Sequence, residues 1–390
     1  MCDNMENKKY SMLIVALYCG KSHVVEYISN LRKKNPLVDI TLLTEKPDVI
    51  SHLLSDNQVN IIHYNVSSVG YIRFHWLKEL VTKHKQCRFF SQFCKKRRYD
   101  IISIHFANRY MSYVYKYLRA MSDNIVITPW GSDVLRRSKN DLKLLSILYN
   151  KADYIASSPD MPLGKKILEE FKIDPKKMVG NFWGTNAVDY AVCKGESISQ
   201  EDAKRRFELN GKYVITCGYN SHEAQQHKAI ISAIDHVKEQ LPNNLTLLFP
   251  MTYGKKGKYF EEIKEECKRL NLNSIFITDF LSIEDLYKLR KATDIFVHVQ
   301  TTDASSGSVQ EYILCNKKIV HGSWIKYEAL ESFSPLFYFP VDKIENLGEV
   351  IVKAYNSDNI KIPQGVIDYV KKSGWDNKAT MMNEFFMSIV

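Results

Sequence analysis

Two carboxylates, Asp303 and Glu311, frame a small-residue loop in the stretch TTDASSGSVQEYILCNKKIVHGSW, from Thr301 to Trp324. Ser305, Ser306 and Gly307 lie between them. The preceding DIFVHV is apolar and β-branched in its middle and reads as a buried strand. A short amphipathic helix is expected from about Ser308 to Leu314; Asn316 sits where it stops, and KKIVHG supplies a second strand. Strand, loop, helix, strand is a unit that can hold a nucleotide diphosphate. Free backbone N–H groups and the positive end of the helix dipole face the anion at the helix N-terminus. The bland reading is that two acids at this spacing are common and that any such crossover needs small residues. The surrounding elements must decide.

Those elements alternate. In the first half SMLIVALY, VDITLLT, NQVNIIHY, YDIISIHF, NIVITPW and DYIASSP are strand candidates with helical stretches between several of them. That pattern argues a parallel sheet covered on both faces, with ligands collecting beyond the carboxyl ends of the strands. The loops that matter follow Tyr18, His105, Trp130 and Ser157. Gly20-Lys21-Ser22 resembles the end of a phosphate loop, but Val15 occupies the place of the required earlier glycine, so a Walker A reading is rejected. His105 ends its strand, with Asn108 and Arg109 in the same loop, and is either structural or a polar group on the rim. In TPWGSDVLRRS, Gly131 permits close backbone approach, and Asp133 either caps the next helix or meets a hydroxyl. The second half repeats the alternation with KYVITCGY, NLTLLFP, NSIFITDF and DIFVHV. Gly218 holds the turn after the first of these, followed by Asn220, His227 and Lys228.

At 390 residues the chain fits two domains of roughly 180 to 200 residues each. Hydrophobic content of 45% and charged content of 25% are ordinary for a globular protein, so a sizeable core is available. No apolar run is long enough for a transmembrane helix, and the N-terminus lacks the pattern of a secretory signal. Eight cysteines are scattered with no C-x-x-C, which points to reduced thiols in a cytoplasmic protein. The net charge of +10 admits nucleic acid, an anionic membrane or a phosphate-bearing substrate. In KHKQCRFFSQFCKKRRYD, from Lys83 to Asp100, seven Lys and Arg interleave with Phe89, Phe90, Phe93 and Tyr99. No nucleic-acid module accompanies the segment. It is either a solvated helix with its aromatics in the core or, over Lys83 to Arg98, a contact with anionic lipid.

Several of these motifs resemble the family-4 glycosyltransferases (glycosyltransferase group 1), with a similarity to the 4-acetamidofucosyl transferases in GYNSHEAQQH and PMTYGKKGKYFEEI. The Asp303, seven residues, Glu311 arrangement is similar to that family's Glu, seven residues, Glu, with Asp303 replacing the first acid. TPWGSD resembles its His-Gly-x-Asp segment, with Trp130 in place of the histidine, and NFWGTN resembles the crossing between its domains. ITDFLSIEDLYKLRKATDIF matches the segment in which a strand end packs the nucleotide base. The resemblance departs at Asn220, which stands near a family arginine, and at His227 or Lys228, which must stand in for a family lysine. No Asp-x-Asp pair occurs, the arrangement with which GT-A transferases hold a metal.

The resemblance implies a GT-B α/β fold: two Rossmann-like domains with parallel sheets facing across a cleft. Residues 1–190 would form the acceptor domain, 191–374 the nucleotide-sugar domain, and 375–390 a helix crossing back onto the first. It implies transfer of a sugar from a nucleotide-diphosphate donor to a hydroxyl of a glycan acceptor, lipid-linked in surface polysaccharide assembly, with retention, without metal or permanently bound cofactor, and at the inner face of the cell membrane. Glu311 would hold the ribose. Asp303, Ser305, Ser306 and Gly307 would address the donor sugar and diphosphate, with Gly218 and Asn220 in the facing turn. His227 and Lys228 would neutralise the leaving group, Phe280 and Leu281 would meet the base, and Asp133 and His105 would face the acceptor. A sugar-nucleotide epimerase, or a non-catalytic protein of this fold that binds glycan or a partner, stands as the alternative.

Overall fold

The computed structural model describes residues 7–17, 21–47, 59–66, 74–254, 257–303, 306–332, 338–358 and 362–390. The chain divides into two units, Met1–Gly184 with Asp376–Val390, and Thr185–Trp375. Gly20 and Ser305 lie outside the described residues.

In the first unit the strands are β1 (Ser11–Val15), β2 (Asp39–Thr44), β3 (Asn60–His63), β4 (Ile101–His105), β5 (Asn124–Thr128) and β6 (Tyr154–Ile155). They form one parallel sheet in the order β3-β2-β1-β4-β5-β6, with Met12 opposite Ile40 on one side and Ile101 on the other. The central strands are Leu, Ile and Val rich and buried on both faces, as a parallel sheet covered by helices requires. The basic segment falls mainly on the helix His75–Phe93, whose Phe90 and Phe93 are buried. Those two rings are therefore core residues, and the apolar groups this helix exposes, Trp76 and Leu80 with the preceding Phe74, lie at its beginning. Chain from the final helix, Trp375–Ser388, also belongs to this unit from Asp376 onward. Phe385 and Phe386 pack on Phe182, and Asn124 Nδ2 donates to the Ile389 carbonyl at 2.9 Å.

The second unit contains β7 (Tyr213–Cys217), β8 (Leu245–Pro250), β9 (Ser274–Ile277), β10 (Ile295–His298), β11 (Lys318–Gly322) and β12 (Phe339–Val341). The order β12-β11-β10-β7-β8-β9 repeats the topology of the first sheet. β12 has no counterpart in the sequence reading: its three residues, Phe-Pro-Val, are too few to show alternation, and the pairing with β11 makes the strand. Strand order reverses between β7 and β10, which opens a crevice at their carboxyl ends. The loops leaving these strands, Gly218 to Gln226 and Val299 to Ser306, carry Gly218, Asn220, Asp303 and Ser306 among the residues singled out above. The helix following the second loop runs Gly307–Leu314 and stops at Asn316, which adopts φ 52°, the left-handed conformation an asparagine tolerates.

Candidate active site

The acid inside the helix is held by a group the sequence reading did not single out. Glu311 Oε2 accepts from Arg290 Nε at 2.8 Å. Arg290 sits on the helix Ile283–Ala292 and is itself buried, donating also to the Tyr312 hydroxyl at 3.2 Å and to Ser308 Oγ at 3.1 Å. Burial works against its charge, but Tyr312 and Glu311 outweigh it, and the guanidinium pKa is raised. Oε1 of Glu311 has no partner among the described residues and lies toward Gly307, where an added Cβ would stand 3.7 Å away. One oxygen is thus fixed and the other presented at the first turn of the helix. Arg290 left a weak trace in the sequence: it lies three positions after Tyr287, on the helix face that is buried.

At that helix start Ser306 is the N-cap, its Oγ accepting from the Val309 amide at 3.3 Å. Asp303 lies in the loop before it. Its Oδ2 accepts from the Tyr327 hydroxyl at 2.5 Å and lies 3.3 Å from His298 Nε2. His298 is the last residue of β10, and parallel register sets it beside His321 of β11. Neither histidine entered the sequence reading, although both strands carry Val-His near their carboxyl ends and adjacent parallel strands align such ends.

The facing turn begins at Gly218, with φ 65°. A Cβ there would lie 2.8 Å from Gln225 Oε1 and 3.1 Å from His227 Nε2, so only glycine fits the space and the backbone. Gln225 accepts from the Tyr219 amide at 3.2 Å and donates to Gln300 Oε1 at 2.7 Å, tying this turn to the loop after β10. Asn220 Oδ1 accepts from the His222 amide at 2.8 Å, a local turn bond, which gives this residue a shaping role. The helix His227–Val237 follows, with no side chain capping its first turn.

His227 and Lys228 differ from expectation. His227 is fully buried under the Gly218 turn, and burial lowers its pKa to about 4. It is neutral, so it contributes no cation to a leaving group. Nδ1 meets the Tyr259 hydroxyl at 3.2 Å, whereas Nε2 is buried with no partner among the described residues. Gln300 Nε2 is in the same state. Two buried polar atoms near the Gly218 turn and the loop after β10 thus have no protein partner among the described residues. Lys228 is exposed, and its ammonium is taken up by Glu262 at 2.5 Å. Phe280, 75% exposed, and half-buried Leu281 follow the end of β9.

In the first unit, His105 and Asp133 are not rim groups. His105 is buried, its Nε2 within 3.1 Å of Ser103 Oγ and its ring 4.5 Å from that of Tyr27, and desolvation lowers its pKa to about 3. Asp133 is fully buried, with Oδ1 accepting from the Trp130 amide at 2.9 Å. Burial raises its pKa to about 6. The carboxylate closes the turn at Gly131, where φ is 98°; the short helix Ser132–Leu135, within which Asp133 lies, has no side-chain cap. Above these groups Trp130 packs edge to face on Trp183 at 4.9 Å and on His23 at 5.4 Å. A polar residue at a strand end or in the turn after it looks the same in sequence whether or not an aromatic shell closes over it.

Residues 14–158 match the family model described as glycosyl transferase 4-like. No curated protein matches the chain. Among solved structures, HepE of Anabaena, in complex with UDP and glucose, is similar at 13% identity and a TM-score of 0.70, over 97% of this chain and 100% of that one. A glycosyltransferase from Rickettsia africae is similar at 14% identity and a TM-score of 0.70, over 98% and 99%. Sucrose-phosphate synthase from Thermosynechococcus elongatus gives 13% identity and a TM-score of 0.69, over 97% and 99%. These findings bear out the resemblance to glycosyltransferases of the GT-B fold. Among the described residues no helix is long and apolar enough to cross a membrane.

Proposed function

We propose that the protein transfers a sugar from a nucleoside-diphosphate donor to a hydroxyl of a glycan acceptor, with the donor bound at the β7/β10 crevice of the second unit. The observation that carries this is the half-occupied carboxylate of Glu311: Arg290 fixes Oε2, and Oε1 is left at the helix start to accept from ribose hydroxyls. The amides at Ser306 and Gly307 and the uncapped first turn of the helix His227–Val237 supply donors and dipoles for the diphosphate. His227 Nε2 and the Gln300 amide are the polar atoms that such a ligand satisfies. Asp303 addresses the donor sugar, and the region of Phe280 and Leu281 receives the base. HepE, whose solved complexes contain UDP, supports UDP as the first nucleotide to test.

In the reaction the bond from the anomeric carbon to the phosphate oxygen breaks, its electron pair leaving with the nucleoside diphosphate. The acceptor oxygen bonds to that carbon, and the acceptor proton departs with the diphosphate. Retention of configuration, independence of metal and a lipid-linked acceptor in surface polysaccharide assembly complete the reading, with the first unit receiving the acceptor. Exposed Phe74, Trp76 and Leu80 beside a basic helix support contact with an anionic membrane surface.

The test is thermal unfolding against a panel of nucleotide sugars, with Glu311→Gln in parallel. A donor at 100 times its dissociation constant adds about 2.7 kcal/mol of stability. Protection by one nucleotide class, lost in the variant, supports the reading; transfer that survives both Glu311→Gln and Asp303→Asn refutes it. The burial of His105 and Asp133 favours, as a second reading, a non-catalytic binding protein, which would bind glycan or a partner without turnover. Donor consumption without acceptor would instead identify an epimerase.

A further inference from the structure

Among the described residues of the second unit three aromatic side chains are exposed, and all three stand at the carboxyl edge of the sheet. They are Tyr253 after β8, Phe280 after β9 and Trp324 after β11. The strand order separates them. Tyr253 and Phe280 follow strands on the β7 side of the crevice, whereas Trp324 follows the strand next to β10. A donor whose diphosphate occupies the crevice has a base at one end and a sugar at the other, so aromatic surface is offered to each. With Phe280 and Leu281 at the base end, Trp324 stands at the sugar end.

The indole is held in place. Its Nε1 donates to the Gln300 carbonyl at 2.8 Å. Its six-membered ring lies on Gly322: a Cβ there would stand 2.5 Å from Cε2 and 2.8 Å from Cη2, so a side chain at this position would push the indole from its seat. The backbone beneath is a closed turn, with the Ile325 amide donating to the Gly322 carbonyl at 3.0 Å and the Ser323 amide to the Val341 carbonyl at 3.0 Å. Even so, 38% of Trp324 remains exposed. The ring is therefore oriented before a ligand arrives, which removes part of the ordering cost of binding.

The same stretch of chain reaches the acid loop at two points: Trp324 meets it at Gln300, and the Tyr327 hydroxyl donates to Asp303. An aromatic surface and a carboxylate on one loop suit the two sides of a pyranose. The ring C–H bonds of such a sugar form an apolar face that packs on the electron-rich face of an indole, and its hydroxyls donate to an acid.

We propose that Trp324 is a specificity-determining residue for the donor sugar: its indole packs against the apolar C–H face of the transferred pyranose and leaves the hydroxyl edge to Asp303. A pyranose with a bulky axial substituent on that face cannot lie flat on the ring and is discriminated against. The inference rests on the proposed donor site and names the residue in it that reads the sugar.

The experiment is calorimetric titration of the full-length protein with UDP, UDP-glucose, UDP-galactose and UDP-N-acetylglucosamine. Trp324→Ala is expected to bind the sugar nucleotide preferred by the wild type about tenfold more weakly, with UDP itself changed by less than about twofold. Trp324→Phe keeps an aromatic face but loses the bond to Gln300, and is expected to retain most of the affinity. Gly322→Ala keeps the indole but displaces it, and is expected to resemble Trp324→Ala; the two tryptophan variants decide the matter if it does not fold. Equal losses for UDP and the sugar nucleotide in Trp324→Ala would put the ring on the base and overturn the proposal. So would a Trp324→Phe as weak as Trp324→Ala, which would trace the effect to the Gln300 bond, or a Trp324→Ala that binds every ligand as the wild type does. A wild type that binds UDP but no sugar nucleotide overturns this inference and leaves the nucleotide site standing. A wild type that binds none of the four refutes the UDP-sugar site, and this inference with it.

Discussion

Replacing Arg290 with methionine tests whether Glu311 is held as described. Both side chains are almost inaccessible, at 4% and 9%. Methionine keeps much of the volume but leaves the carboxylate buried with no cation. Removing one partner of a buried pair costs about 3–5 kcal/mol, because the remaining charge keeps its desolvation penalty. For a unit of this size that corresponds to a fall in Tm of ~6–20 °C. Urea unfolding at neutral pH would show the loss. The double variant Arg290→Met, Glu311→Leu removes both charges and is expected to recover most of the stability, since an apolar pair can replace a buried ion pair at little net loss. It is not expected to recover protection by UDP. A loss below ~1 kcal/mol at neutral pH in Arg290→Met would refute the reasoning.

Gly218→Ala forces a side chain onto a backbone with φ 65° and within 3.1 Å of His227, and is expected to cost about 1–3 kcal/mol and to weaken UDP binding; a melt and a calorimetric titration indistinguishable from wild type would count against a close-packed turn. His105 is held near pKa 3 when folded against 6.5 otherwise, so the unfolded chain takes up a proton that the folded chain refuses. Its contribution is therefore full above about pH 6.5 and is lost as the pH falls, at ~1.4 kcal/mol per pH unit over that window. His105→Leu should flatten the acid limb of stability by one proton; an unaltered limb would show that the imidazole is charged or accessible. Replacing Trp76 and Leu80 together with serine is expected to reduce sedimentation with phosphatidylserine vesicles at least about fivefold while leaving the melting temperature nearly unchanged; unreduced sedimentation would remove that helix from the membrane contact.

The sequence alone was enough for the strands of both sheets other than β12, because parallel strands buried on both faces are apolar runs bounded by turn residues. It was enough also for the loop and helix between Asp303 and Glu311 and for the stop at Asn316, since small residues, caps and left-handed positions act over a few residues. What lay beyond it was every relation set by packing across the fold. Arg290 looks like an exposed helix-end cation until the helices bring it against Glu311 and bury both. His298 and His321 become one unit only through the register of β10 on β11. His105, Asp133 and His227 read as polar groups at the ends of strands or the starts of helices, yet burial makes the two histidines neutral and turns the acid onto the Trp130 amide. Local pattern determines which elements form, because backbone and near neighbours set it. Desolvation and pairing determine what a side chain can do, and both depend on residues far away in the chain.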